Sequence, residues 1–401
     1  MNLCIPYASV YMLAIGLSDS QVGLVVTVYT LSQVLWAFFS GPITDKIGRR
    51  RTTAVFDIIA FLIPCIIWWQ AQGFWFFFIA ALFNGTMQVT VNSWDCLLIE
   101  DAEKSQVTGI NSLVVVSGQL SVLFMPISAI LFSKLTLVPA IRILYVNAFV
   151  VMTIKIVLLY AVSRETRVGL IRLAESRGKS IFSIAAGYRG VLKIIVKSRG
   201  TVFAMIITAI VGIVGMINTT FWQIIVSKKL LVPEYLLPLF PILKSVIAII
   251  FLFFIAPHIT KGLFKLPLLT GFGCYITGQT LLILAPQDGP LKYIILCISL
   301  IFDAFGFSNL VMLARSLVAL NVNPAERARI LALINMIIMA VTAPFGWIGG
   351  LLSNVSRNLP FALTLCLLVT GVCITFLYYN NHINPDAGGP HTDEPERCSN
   401  G

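Results

Sequence analysis

Two opposite charges stand within long apolar runs of this chain, Lys244 and Asp303. Left unpaired in hydrocarbon, each would cost several kcal/mol or shed its charge, so a salt bridge between them is the economical arrangement. If a solute or a proton competes for one partner, the bridge becomes a switch; a static pair is the equal alternative. A second group is Asn84, Gln88, Asn92 and Asp95, spaced by four, four and three residues. At about 100° per residue these fall on one stripe of a helix. Polar groups on an apolar helix face either a cavity or a partner helix, and the continuity of the stripe favours the cavity. The chemistry these residues support is exchange of hydrogen-bond and ion-pair partners. The apolar runs hold isolated acids rather than an acid–base or metal cluster, and the histidines are only 258, 382 and 391, so no metal and no cofactor is expected.

The elements that carry these residues follow from composition. The chain has 401 residues, 58% hydrophobic and 11% charged, where soluble domains carry about a quarter charged. It reads as an all-α polytopic membrane protein. With about 20 apolar residues needed per crossing, spans fall near 3–17, 22–43, 52–71, 74–98, 107–132 and 139–162. Six more fall near 201–226, 235–257, 266–284, 290–319, 329–352 and 359–379. The twelve spans divide into bundles 1–162 and 201–379, joined by a basic linker 163–200 and followed by a tail 380–401 whose composition predicts disorder. The first span is short and opens at Met1, which suggests a truncated first helix. The eight cysteines show no disulfide or metal-ligand spacing. In the linker, the segments 169–176 and 184–197 alternate apolar and basic residues, as amphipathic helices on an anionic leaflet do; a solvated tether is the other reading.

The stretch Gly41–Arg51, GPITDKIGRRR, lies between the second and third spans. Its basic cluster belongs on the cytoplasmic side, and Gly41 and Gly48 read as hinges of a tight turn. That orientation also places the linker, the C-terminus and the loops holding Lys261, Lys265, Arg327 and Arg329 inside. The net charge of +11 is thus explained by topology rather than by nucleic acid. A weak echo of the loop follows the eighth span at Thr260 and Lys261.

The spelling G-x-x-x-D-[RK]-x-G-R-[RK], here Gly41, Asp45, Lys46, Gly48, Arg49 and Arg50, resembles the loop between the second and third helices of the major facilitator superfamily of transporters. With the six-plus-six layout, the resemblance covers nearly the whole chain and is to bacterial members. It implies two bundles that rock about a central cavity. The first, fourth, seventh and tenth spans would line that cavity, helped by the second, fifth, eighth and eleventh, with the third, sixth, ninth and twelfth facing lipid. Drug–proton exporters of the family carry an arginine in the fourth span and G-P-x-x-G-G in the fifth. Here Asn84 stands near the first position, and the fifth span offers only Gly118 and Pro126, so drug–proton antiport lacks its motifs.

Within that frame Asp45 is the gate candidate, its carboxylate accepting N–H groups at a helix N-terminus of the opposite bundle; Arg50 and Arg51 are read as anchors. Asp57 is expected to pair with Arg49 or Arg50, and Lys155 and Arg315 to reach the inner surface or lipid phosphate. Tyr7, Tyr11, Tyr29, Gln33, Thr219, Trp222, Asn335 and Thr342 complete a candidate lining. The expected function is secondary active transport of a small solute across the plasma membrane by a monomer in lipid, with coupling to H+ or another ion left open. A transporter-like sensor or scaffold is the alternative, and a membrane-embedded enzyme the weaker one.

Overall fold

The computed structural model describes residues 3–120, 124–176, 199–258, 264–320 and 327–382. All regular structure among them is helical. Among the described residues, ten helices are long and apolar enough to cross a membrane: Asp19–Ile47, Arg49–Trp69, Phe74–Ile99, Leu137–Val162, Arg199–Lys229, Glu234–His258, Lys265–Leu284, Leu291–Val318, Leu333–Val355 and Leu359–Asn380. Two expected spans are shorter in the described residues. The first is Ile5–Ala14, and the fifth comprises Lys104–Leu120 and Met125–Lys134 on either side of positions outside the description. The echo at Thr260–Lys261, the linker segment 184–197 and most of the tail 380–401 also lie outside the described residues.

Local chemistry sets the boundaries. The second span starts at Asp19, earlier than expected, because Ser18 and Gln21 form a reciprocal capping box. It then runs through Gly41 and Pro42 to Ile47 as continuous helix, so Gly41 is no hinge. The whole turn is made at Gly48, whose φ of +93° suits glycine, and the third span begins at Arg49. In that span Pro64 cannot donate to the preceding turn, which widens into a π-helical turn at Ile58–Leu62 with Ile63 N–H bonded to Ile58 O. The fourth span breaks at Thr86, and the eleventh is interrupted before Pro344.

Helices before residue 163 pack mainly on one another, as do those after 199. The short loops make neighbours antiparallel, which defines two ends of the bundle. The basic end carries Gly48, Glu100 and Ser163–Thr166; the opposite end carries Gly16–Ser18, Gln70–Gly73 and Ser356–Asn358. The described hydrogen bonds and ion pairs joining the two sets cluster toward the opposite end, where the second span lies on the eleventh. Gly23 faces Gly346 and Gly350 so closely that a Cβ on Gly23 would fall 2.2 Å from Gly346 O. Thr27 donates to Ala343 O at 2.8 Å and accepts Trp347 N–H at 2.8 Å. Ser353 donates to buried Asp19 at 2.6 Å, with Arg357 3.6 Å from the same carboxylate.

Candidate functional site

A cavity of about 600 Å³ lies between the two sets of helices. Its walls come from the first, second, third, fourth, sixth, seventh, tenth and eleventh spans. The third and sixth spans, expected to face lipid, contribute Phe61, Pro64, Cys65, Trp68 and Tyr145. Toward the opposite end the cavity is floored by an aromatic group. Tyr11 donates to Trp68 O at 2.8 Å, and the rings of Tyr11, Trp68, Phe77 and Tyr145 pack within 4.9–6.5 Å of one another. Toward the basic end the walls include Thr208, Arg315 and Asn335.

Beside it, sharing Gly215, Thr219 and Phe307, is a smaller chamber of about 240 Å³. Lys244 and Asp303 meet there, Nζ to Oδ2 at 3.2 Å, with Asp303 buried and Lys244 half-buried. Asn218 binds both: its amide nitrogen donates to Asp303 Oδ2 at 3.0 Å, and its oxygen accepts from Lys244 at 3.1 Å. Gln279 also donates to Asp303 and accepts from Thr364 at 3.4 Å, and the ammonium lies 4.7 Å from the Trp222 ring centre. The carboxylate is therefore saturated with donors, as a charge buried among helices must be.

At the basic end the charges form a third cluster, confined to the first set of helices. Arg49 binds Glu100 at 3.0 Å and Asp45 at 3.0 Å, and Thr166 donates to Glu100 at 2.6 Å. Burial raises the Glu100 pKa, but the bonds from Arg49 and Thr166 outweigh it and hold the carboxyl below its ordinary value. Glu165 accepts the N–H groups of Arg49 and Arg50 at 2.8 and 3.1 Å, capping the third span against Gly48. The helix Arg167–Glu175 follows, covering most of the expected amphipathic segment 169–176. Ser176 after it donates to Asp45 O.

These positions sort the expected site residues. Lys244 and Asp303 come together as the sequence implied. Asp45 is held by Arg49, four residues away on its own set of helices; the helix N-terminus in this cluster is capped by Glu165 instead. Lys46 is exposed, and Arg50 bonds Tyr160 O at 3.2 Å and lies over its ring. Asp57 pairs with Lys155 rather than with Arg49 or Arg50, because Arg49 is taken by Glu100; Lys155 therefore turns inward instead of toward the surface. Of the fourth-span stripe, Asn84 alone lines the cavity. The break at Thr86 brings Met87 to the wall in place of Gln88, Asn92 donates to Thr44 at 3.4 Å, and Asp95 is exposed outside it.

Tyr11 belongs to the floor, and Trp222 is buried beside Lys244. Gln33 supports the wall residue Tyr29 through a 3.0 Å bond, while Asn335 and Thr219 are themselves wall residues. Arg315 lines the cavity instead of reaching lipid. Sequence reasoning missed Asn218, Gln279, Glu100, Glu165 and Asp19. A buried amide in an apolar run was the signal for the first two; acids at the ends of spans, overlooked beside the basic residues, were the signal for the rest.

A bundle of apolar helices around a solute-sized cavity that holds residues from both sets is the build of a multi-pass membrane transporter. The chain belongs to the Major Facilitator Superfamily, whose family model matches residues 1–347. An 85-residue stretch is 31% identical to the uncharacterised MFS-type transporter YqjV of Bacillus subtilis (strain 168); it covers 21% of this chain and 20% of that relative's length. Among solved structures, the chain is similar to a D-xylose-proton symporter (TM-score 0.71, 15% identity, 93% of this chain and 94% of that one). It is similar also to the nucleoside transporter NupG (TM-score 0.68, 13% identity, 95% and 96%). A third likeness is to an inward-open conformation of the xylose transporter XylE from E. coli (TM-score 0.69, 12% identity, 94% and 92%). At these identities the structures speak for the fold.

Proposed function

We propose that this chain is a secondary active transporter of the plasma membrane, moving a small solute by alternating access. The halves 1–162 and 201–379, each of six spans, rock about the cavity as a monomer, with the linker and C-terminus cytoplasmic. The observation that carries this reading is the cavity's asymmetry. Backbone contacts between the second and eleventh spans seal it toward the opposite end, and the basic residues mark the end that faces the cytoplasm. The state is then inward-facing. The basic-end cluster, closed on its own half, has released the other one, and Asp45 crosses over when that end shuts.

The Lys244–Asp303 pair is the coupling element. A proton taken by Asp303, or a solute group competing for Lys244, would loosen the bonds that Asn218 shares between them and so alter how the seventh, eighth and tenth spans pack. The likeness to a D-xylose-proton symporter supports H+ as the coupling ion. A sensor or scaffold would bind but not carry.

The test is uptake into proteoliposomes with and without a proton gradient, on the parent, Lys244→Met, Asp303→Asn and the double variant. Each single change strands a partner and lowers stability by roughly 3–5 kcal/mol; the double change recovers stability but not gradient-driven uptake. Additive stability losses would show that the pair is not coupled, and solute binding without any uptake would favour the sensor.

A further inference from the structure

The main cavity has an uneven distribution of charge. Among the described residues that line it there is no Asp, Glu, Lys or His; its fixed charge is the Arg315 guanidinium. Arg315 is exposed, and no ion-pair partner is found for it among the described residues. The neighbouring Lys244–Asp303 pair is neutral as a unit and satisfied internally, so it cancels nothing in the cavity.

Position sharpens this. Asp303, Phe307, Val311 and Arg315 recur every four residues on the tenth span, a stripe that turns by about 120° from the chamber to the cavity. Phe307 packs on Gly215, where an added Cβ would lie 2.8 Å from its ring, and forms the partition between cavity and chamber. Arg315 lies about 12 Å further along the helix axis, toward the basic end. The middle walls are largely apolar, with Met12, Met87, Met216 and Phe307, and the polar groups among them, such as Asn84 and Thr219, are neutral. The floor is closed by the aromatic side chains of Trp68 and Tyr145. A cation at the mouth, a largely apolar waist and an aromatic floor describe the complement of an occupant.

We propose that the cavity takes a monovalent amphipathic organic anion, with its charged group on Arg315 and its apolar body along Phe307, the methionines and the aromatic floor. Fixed acids are what would select an amine or a metal cation, and the described wall offers none. A dianion would leave its second charge in the apolar waist at high cost.

This inference rests on reading the cavity as the solute site, and an equilibrium binding test keeps the two apart. Purified protein in zwitterionic nanodiscs is titrated calorimetrically with 2-naphthoate, its neutral isostere 2-naphthamide, and 2-naphthylmethylammonium. The expected order is naphthoate tightest, by about tenfold or more over the amide, with the ammonium weakest. Arg315→Gln removes the preference for the anion, Arg315→Lys keeps most of it, and both variants retain the parent's thermal stability because Arg315 is exposed. Equal or reversed affinities in the parent, no saturable naphthoate binding up to millimolar concentration, or an unchanged preference in Arg315→Gln would each overturn the assignment. Discriminating binding without uptake would instead count against the transporter reading and leave the anion site standing.

Discussion

Where Gly23 meets Gly346 and Gly350, backbone lies on backbone across the two halves; where Asp45 meets Arg49, charged side chains keep to one half. The first contact is short-ranged and dry, and it holds only while the helices stay within van der Waals reach. The second is multidentate, partly exposed, and capable of trading partners. A carrier needs one closure of each temper in a given state: a packed seam on the shut side and a set of charges waiting on the open side. The difference explains why the halves are joined toward the opposite end, and why Arg49, Glu100 and Glu165 stabilise the first half without touching the second.

The sharpest way to break this comparison is to make the packed seam permanent. Ser353 donates to Asp19 across the seam at 2.6 Å, so cysteines at these two positions would lie within reach of a short thiol cross-linker. Asp19→Cys with Ser353→Cys, joined by a reducible bifunctional thiol reagent, should reduce uptake of any solute the parent carries to background, with reductant restoring it. Persistent uptake in the cross-linked protein would mean that this end need not open.

Next in size is the basic end. Asp45→Asn should slow uptake several-fold while binding and thermal stability stay near the parent's, since Arg49 keeps Glu100. Equal flux at matched expression would reduce the Gly41–Arg51 motif to a membrane anchor.

The comparison was only half legible in the sequence. Helical content and the position of nearly every span followed from apolar run length, and the motif residues marked the basic end. The Lys244–Asp303 pair was legible for the same reason, because two opposite charges in hydrocarbon have few other solutions. The packed seam was not: glycines in the second and eleventh spans carry no pairing signal until the helices are set side by side. Nor was the fourth-span stripe, since the turn at Thr86 shifts Gln88 and Asp95 off the face that ideal periodicity gave them. Arg49 was misassigned because Glu100, 51 residues away, outcompetes Asp57 for it.

A smaller effect should follow from Asp19→Asn, which weakens the contacts with Ser353 and Arg357 across the seam. We expect a loss of about 1–2 kcal/mol in the closed form of that end, read as faster labelling of Ser9→Cys by a membrane-impermeant thiol reagent from the outside. Unchanged labelling would assign the seam to the glycines alone.

The smallest concerns pH. Glu100 has its pKa lowered in the folded protein, so its contribution is fully present above the ordinary carboxylate value and is lost as pH falls through the lowered one. Thermal stability should therefore hold from neutral to mildly acid pH and decline below about 4. Glu100→Gln should flatten that decline, and an identical profile in both proteins would remove Glu100 from the account.

The most direct test of alternating access needs no solute. Spin labels at Gln21 and Asn354 report the opposite end, and labels at Lys46 and Lys265 the basic end, in a cysteine-free background. Pulsed electron–electron distances are compared between the parent and Gly23→Leu, whose side chain cannot fit against Gly346. The account predicts that the opposite-end distance lengthens while the basic-end distance shortens in the same molecules. If the opposite end parts with the basic end unmoved, the halves do not rock about the cavity, and alternating access is contradicted.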